Sequence, residues 1–481
     1  MKFCLALFGF ASCSLVAPLF ADAEATAKSI NRATKSGSLI AGPMLGYNAH
    51  REVFVWLETK GATTVEMEYW LSGQPATAKK ITKSHLHETP AGGQISHFTP
   101  GLLTPGAAYE YSLTIDGNKP SFAFPLKFTP RGIWEWRSGP PDFKFIVGSC
   151  AYINEPALDR PGKPYGVSYK PFEFAAETGA DFMIWLGDNW YYREPDYSSK
   201  SGLWHRAQHD RSTPEMQKLL GVMHHYATWD DHDYGPNDPN WAYELKDETL
   251  KIFRAYWGNT SYGERDNPGV YNKWYWGDAA FILMDDYSYR DDVNIDQNKH
   301  PEKSQWGRRQ LEWLKQSLLQ AQALGHFPFK FIGNGTQMLQ TEPRGSGHEL
   351  YRRERDDLLA FITEHKITGV VFLTGDVHHV GVYRRQLNPE GPWIYDVTAS
   401  PLSSGAWDVE KSEKARDPLL VPGTLVGDQN FVQIEIKGPR EARQLVISAT
   451  DKQGVKRFEH VVPAAELGAK PSTRPVKPRA P

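Results

Sequence analysis

From residue 143 onward, seven short apolar runs each stop on side chains that can bind a metal ion. "FKFIVGSC" ends at Cys150. "DFMIWLGDNWYY" runs into Asp188 and Tyr191, and "HYATWDDHD" into Asp231 and His232. "AAFILMDD" ends at Asp285 and Asp286, and "FKFIGNGTQ" passes Asn334 and Gln337. "GVVFLTGDVHH" reaches Asp376 and His378, and "WIYDVTASP" carries Asp396 and Ser400. Between the runs lie amphipathic segments such as "SQWGRRQLEWLKQSLLQAQAL" (304–324) and "LYRRERDDLLAFITEH" (350–365), with apolar residues at helical spacing. Buried strands alternating with helices predict a layered α/β domain, and such folds gather function where strands end and loops begin.

One aspartate after a strand means little, because aspartate favours turns. Seven ends bearing thiol, carboxylate, phenol, imidazole or amide groups exceed turn chemistry. Thiolate and phenolate suit a strongly Lewis-acidic ion such as Fe3+ or Zn2+; carboxylate, amide and imidazole suit several divalent ions. The group count suits two ions with one carboxylate bridging. Two cations would also offset the charge crowded into "YATWDDHDYGPND" (Tyr226–Asp238), where three aspartates fall within four residues around His232.

Residues 38–130 read differently. "EVFVWLET", "TVEMEYWL", "AAYEYSLTID" and "FAFPLKFT" alternate like strands between turn-rich segments, which predicts a small antiparallel β-sandwich. "PRGIWEWRSGPPD" (130–142) reads as the linker to a second domain over 143–462. The start, "MKFCLALFGFASCSLVAPLFADAEA", reads as a signal peptide over residues 1–23, hence export to the periplasm or the cell exterior. No other segment is long enough to span a bilayer. Two of the three cysteines fall in that leader, so the mature chain keeps only Cys150 and can form no internal disulfide. A single cysteine is most often an inert core thiol; the strand-end position of Cys150 favours a ligand instead. Residues 463–481, Pro-rich and basic, read as a disordered tail. With 54 basic and 57 acidic residues, the chain carries no polyanion-binding excess, which argues against a nucleic acid partner.

"GSC" (148–150), "GDNWY" (187–191), "WDDHDYGPND" (229–238), "GDVHH" (375–379), "DVTASPL" (396–402) and "WGRRQLEWL" (306–314) together resemble the PhoD-like alkaline phosphatase/phosphodiesterase family. That family lies within the calcineurin-like metallophosphoesterase superfamily. "GPMLGYNAHREVFVWL" (42–57) resembles the start of the family's N-terminal β domain. The resemblance implies a layered β-sandwich core flanked by helices, preceded by the small antiparallel sandwich. It also implies a phosphoric ester hydrolase, acting on monoesters, diesters or both, with a two-metal centre, iron plus calcium, and a metal-bound hydroxide as nucleophile.

Carried onto this sequence, the resemblance gives Cys150, Asp188, Tyr191, Asp231, Asp376 and His378 as metal ligands, with Asp188 bridging. His232 is the catalytic histidine. Asp230, Asp233 and His379 are expected as supports. Asp285 stays open between ligand and support, and Asn334 and Gln337 have no settled orientation. Tyr287 stands where the family often has Arg, and Asp396 where it often has Glu, so the phosphate-binding arginine is left to Arg193 or Arg290. Two alternatives stand beside this reading. One is a phospholipase- or nuclease-like phosphodiesterase; the other is a non-catalytic exported metal-binding protein, which would need no His232. The natural substrate and the oligomeric state are not legible.

Overall fold

The computed structural model describes residues 37–340, 347–409 and 417–471. The expected signal peptide and residues 472–481 lie outside them. Two β-sheets pack face to face, with helices on both outer faces. The first sheet runs, in spatial order, Lys456–Pro463, Gln444–Asp451, Asn430–Lys437, Phe143–Gly148, Phe182–Leu186, His224–Thr228, Ser38–Asn48, Val53–Lys60, Gln94–Phe98. The second runs Asn272–Trp276, Ala279–Leu283, Phe329–Gly333, Val370–Thr374, Trp393–Thr398, Gly381–Gln386. In each, the central strands are parallel and antiparallel strands close the edges.

The apolar runs are unbroken because both faces of each central strand are buried. Alternate residues serve different layers. Phe145, Val147, Ile184 and Leu186 face the second sheet and meet Phe281, Leu283, Phe331 and Leu373. Ile146, Met183 and Trp185 point the other way, onto Phe172 and Ala175 of the helix Lys170–Glu177, and Leu219 and Leu220 of the helix Pro214–Val222. Behind the second sheet, Ile282, Ile332 and Phe372 meet Leu314 and Leu318 of the helix Gly307–Leu324, and Leu358 and Ile362 of the helix Arg352–Glu364. Aromatic rings form the middle of the sandwich: Phe145 stacks on Phe182 at 5.1 Å and meets Phe281 edge-on at 5.2 Å. Each such buried ring contributes roughly 1.5–3 kcal/mol.

The small antiparallel sheet is Lys79–Lys83, Val65–Leu71, Tyr109–Ile115 and Lys127–Phe128. It packs through Met67, Tyr111 and Leu113 against Val53, Val55 and Leu57. The strands that carry those valines also extend the first large sheet, because Leu45 pairs in parallel with His224. Residues 463–471, expected to begin a disordered tail, instead turn back onto the sandwich core. Leu467 is fully buried there, and its carbonyl accepts the Gly369 amide. Leu467 buries an apolar side chain that the basic, Pro-rich composition of the segment conceals. Among the described residues no helix is long and apolar enough to cross a membrane.

Candidate metal centre

The C-terminal ends of the parallel strands meet at one rim. Pairing of Gly148 with Trp185 and of Leu186 with Thr228 brings three ends level. Cys150 and Asp188 follow two of these strands. Asp231 and His232 open the single-turn helix Asp231–Tyr234 after the third. Asp376 and His378 follow Val370–Thr374 in the facing sheet. Gly187 allows the close approach: at φ 93°, a Cβ there would lie 2.6 Å from the Asp230 backbone nitrogen.

The backbone is strained at this rim. Among the described residues, nine non-glycines have positive φ, and four of them are expected ligands: Cys150, Asp188, Asp376 and His378. Each such conformation costs on the order of 1–2 kcal/mol. Their concentration at one rim shows that the surrounding structure imposes the geometry.

Four donors converge in a first cluster. Cys150 Sγ lies 3.5 Å from Asp188 Oδ2. The Tyr191 hydroxyl donates to that same oxygen at 2.8 Å and lies 3.5 Å from His378 Nε2. His378 Nδ1 lies 2.6 Å from the Gly405 carbonyl. A carbonyl can only accept, so Nδ1 carries the proton and the Nε2 lone pair faces the cluster. Ser400 Oγ donates to Cys150 Sγ at 3.0 Å. Ligand atoms of Cys150, Asp188 and His378 all lie within 4.8 Å of one another.

A second cluster shares Asp188, since Asp188, Asp231 and His232 also bring ligand atoms within 4.8 Å. Asp188 Oδ1 accepts the His232 amide at 3.3 Å, and Asp231 Oδ2 accepts the Asp238 amide at 2.9 Å. Beside them Asp230 is buried with no hydrogen-bond partner for either carboxylate oxygen. Asn334 donates through Nδ2 to the Thr336 carbonyl, while its buried Oδ1 has no donor. The Asp376 side chain falls outside both clusters, but its charge reaches Asp188 and Asp230.

The electrostatics of the protein alone are unfavourable. Burial, then repulsion from neighbouring acidic groups, pushes Asp188 and Asp230 well above the usual carboxylate range. Burial pushes the Cys150 thiol up to about 11 and raises the Tyr191 phenol. Burial is also the main cause holding His232 below the ordinary imidazole range. A carboxylate shared between two clusters, with donorless buried oxygens of Asp230 and Asn334 beside it, fits cations. A cation reverses each of these shifts for the ligands it touches.

The remaining expected residues divide cleanly. Asp233 accepts the amides of Asp230 (2.7 Å), Asn189 (3.2 Å) and Asp188 (3.3 Å), and the Asn189 side chain. It holds two strand ends together. Asp285 is saturated by Trp229 Nε1, the Tyr287, Ser288 and Val270 amides and the Ser288 hydroxyl. It supports the rim rather than joining either cluster. Asp286 and Asp396 likewise accept local amides and side-chain donors. Gln337 donates to Thr398, and His379 lies buried between the Val377 carbonyl and Tyr383. Arg193 lines the cleft beside the clusters with its guanidinium held by protein acceptors, and Arg290 is not part of that lining. Arg193 is buried and bonded to Asp159 and to the Tyr191 and Ile153 carbonyls. Arg290 is enclosed, bonded through Nε to Tyr351, and lies 3.8 Å from Asp238. Its two terminal nitrogens have no hydrogen-bond partner, and the Asp230 charge acts on it.

A cleft of about 600 Å³ opens onto the clusters, with Tyr191 and His232 in its wall beside Tyr152, Tyr165 and Tyr197.

The chain matches the PhoD-like phosphatase family over residues 145–422. It belongs to that family. It is also 24% identical over 333 residues to alkaline phosphatase D of Bacillus subtilis (strain 168), a stretch covering 58% of this chain and 54% of that protein. The chain thus spans about half the length of this relative. A solved structure of PhoD superposes with TM-score 0.69 at 16% identity, covering 87% of this chain and 91% of the other. Purple acid phosphatase PPD1 from yellow lupin (Lupinus luteus) superposes with TM-score 0.60 at 12% identity, covering 91% and 77%. At such identities these two share the fold.

Within the family frame, one contributor to the site carried no sequence signal of its own, and a second was visible only as a strand-end residue. Tyr165 sits in "DRPGKPYGV", outside every motif, yet its hydroxyl lies 3.2 Å from His378 Nδ1. Ser400 belongs to a run noted for its strand end, and only the fold shows it donating to a thiol 250 residues away.

Proposed function

We propose that this chain is an exported, metal-dependent phosphoric ester hydrolase. The observation that carries the reading is the pair of clusters sharing Asp188, one of them bearing a thiol and a phenol. Cys150, Asp188, Tyr191 and His378 would hold a first cation, and their thiolate and phenolate donors suit a strongly Lewis-acidic ion such as Fe3+. Asp188 and Asp231, with the free Asn334 oxygen, would hold a second, and the Asp376 charge beside them would add to its attraction; all-oxygen donors favour Ca2+. Bound there, the cations would lower the proton affinity of water and polarise a phosphoryl oxygen.

The protein's own groups do the rest. Hydrolysis forms one bond from a water oxygen to phosphorus and breaks the ester P–O bond, and the leaving oxygen must gain a proton. His232 is placed for that transfer. It faces the cleft, its ring centroid lies 4.3 Å from that of Tyr191, and its Nε2 is 3.9 Å from Asp231 Oδ2. Asp233 keeps Asp188 and Asp230 at their separation, and Ser400 orients the Cys150 sulfur. The Arg290 charge faces Asp230 and offsets it, which supports a positioning role for this arginine rather than direct contact with phosphate. The small β-sandwich packs beside the catalytic layers.

Cys150→Ala, Asp188→Asn and His378→Ala should each lower turnover of aryl phosphate mono- and diesters at least about 100-fold and reduce bound metal. Wild-type turnover in any of them removes the assignment. A ferric phenolate should give a visible charge-transfer band that disappears in Tyr191→Phe; an active, colourless, zinc-only protein overturns the iron reading. Cell fractionation tests export.

A further inference from the structure

The hydrolase reading, on which this inference rests, leaves most of the cleft without a role. About 600 Å³ is far more than a phosphoryl group fills, and of the clustered groups only Tyr191 and His232 line it. Much of the remaining wall is the loop around residues 158–165, which brings Leu158, Asp159, Arg160, Pro161, Lys163 and Tyr165. Arg160 and Lys163 are exposed, and Tyr165 keeps 41% of its surface open.

This loop is pinned at both ends. On one side, Asp159 accepts from Arg193 Nε (2.9 Å), the Tyr152 hydroxyl (2.9 Å) and the Glu155 amide (2.8 Å). On the other, the Asn154 side chain and the Gly166 backbone exchange two hydrogen bonds, and the Val167 amide donates to the Ser403 carbonyl at 2.9 Å. The Tyr165 ring lies edge-on to Tyr152 at 4.9 Å, with its hydroxyl on His378. The basic residues are thus carried on a fixed wall rather than on a loose surface loop. Asp159 is already neutralised by Arg193. Glu194 is then the one other acid in the lining to set against Arg160 and Lys163. The Arg160 charge reaches the site itself: it adds to the burial that lowers the proton affinity of His232 and partly opposes the burial that raises that of Tyr165.

We infer that this wall is a leaving-group subsite: the Tyr165 ring stacks on a flat leaving group, while Arg160 and Lys163 hold a negative substituent borne by it. The preferred substrates are then phosphoric esters whose leaving group carries both a ring and a second anionic group, such as a carboxylate or another phosphate. His232, on the adjoining wall, meets the oxygen that departs with that group.

The test compares kcat/KM for two aryl phosphate esters, one unsubstituted and one bearing a ring carboxylate, in the full metal-loaded chain. Two exposed charge contacts are worth roughly 1 kcal/mol together. Arg160→Ala combined with Lys163→Ala should therefore lower kcat/KM for the carboxylated ester about fivefold more than for the unsubstituted one, through KM. Raising salt from 0.05 to about 0.5 M should shrink that difference in the wild type. Tyr165→Leu should lower aryl esters about fivefold relative to an alkyl ester. Equal changes for both aryl esters in the double variant, or none, overturn the subsite. A metal-loaded wild type that hydrolyses no ester overturns the hydrolase reading and the subsite with it.

Discussion

Asp233 is the residue whose replacement tests the architecture of the centre most directly. It touches neither cluster as a ligand, yet four donors converge on its two oxygens: the Asp188, Asn189 and Asp230 amides and the Asn189 side chain. Burial pushes its carboxyl up to about 8 against those donors. In Asp233→Asn an NH2 group replaces one oxygen and faces two donors that lose their acceptor. At roughly 1–3 kcal/mol for each buried group left unsatisfied, the local cost is about 2–6 kcal/mol. Above about pH 8, where the carboxyl is ionised, removing one negative charge from a crowded acidic rim offsets part of that cost while no cation is present. Destabilisation should therefore be larger in metal-loaded protein than under chelation. Freed from its post, Asp188 loses its fixed position, and metal affinity should fall about 10–100-fold. Urea unfolding with chelator and with saturating metal measures the first effect, and competition with a chromogenic chelator the second. Wild-type metal affinity and wild-type stability in the loaded variant would refute the claim that Asp233 holds the bridging carboxylate in place.

Three other outcomes follow from groups away from the centre or from its burial. Lys330 is buried, bonded to the Phe327 and Thr368 carbonyls, and burial lowers its ammonium pKa to about 7. The unfolded chain binds that proton up to about pH 10.4, so wild-type stability rises as pH climbs from 7 to 10. The advantage of Lys330→Met over wild type in urea unfolding should thus shrink by about 4 kcal/mol across that range. Arg443 forms a buried two-point pair with Asp278, both contacts at 2.9 Å, so Arg443→Met should cost about 3–5 kcal/mol by leaving the carboxylate unpaired; Asp278→Asn in the same background should recover part of it. Cys150 is fully buried with its thiol raised to about 11, so in a chain lacking residues 1–23 alkylation at pH 8 should be slow in native protein and complete in urea.

Period and composition made the layers readable in advance. Runs such as "FMIWL" and "VVFLT" are apolar on both faces because helices cover one side and a second sheet the other. The tail expected from 463 packs onto the sandwich core as far as 471, because "PAAELGAK" supplies Ala464, Leu467 and Ala469 to that core. Arg193 and Arg290 were singled out for lying beside motifs. Adjacency in sequence does not say where a guanidinium points: Arg193 borders the cleft with its nitrogens on Asp159 and two carbonyls, and Arg290 is enclosed.

The sequence by itself determined which chemistry the rim could hold: a thiol, a phenol, imidazoles and carboxylates, each delivered at a strand end because buried strands release their polar residues where loops begin. Which atoms meet was decided only by the tertiary structure. Parallel register levels the ends of strands 38 and 42 residues apart, and sheet-on-sheet packing brings His378 and Ser400 to Cys150 across more than 200 residues. Asp285 and Asp230 are both strand-end aspartates. Five donors surround one and none meets the other, and that difference lies in packing between distant segments, which local sequence does not encode.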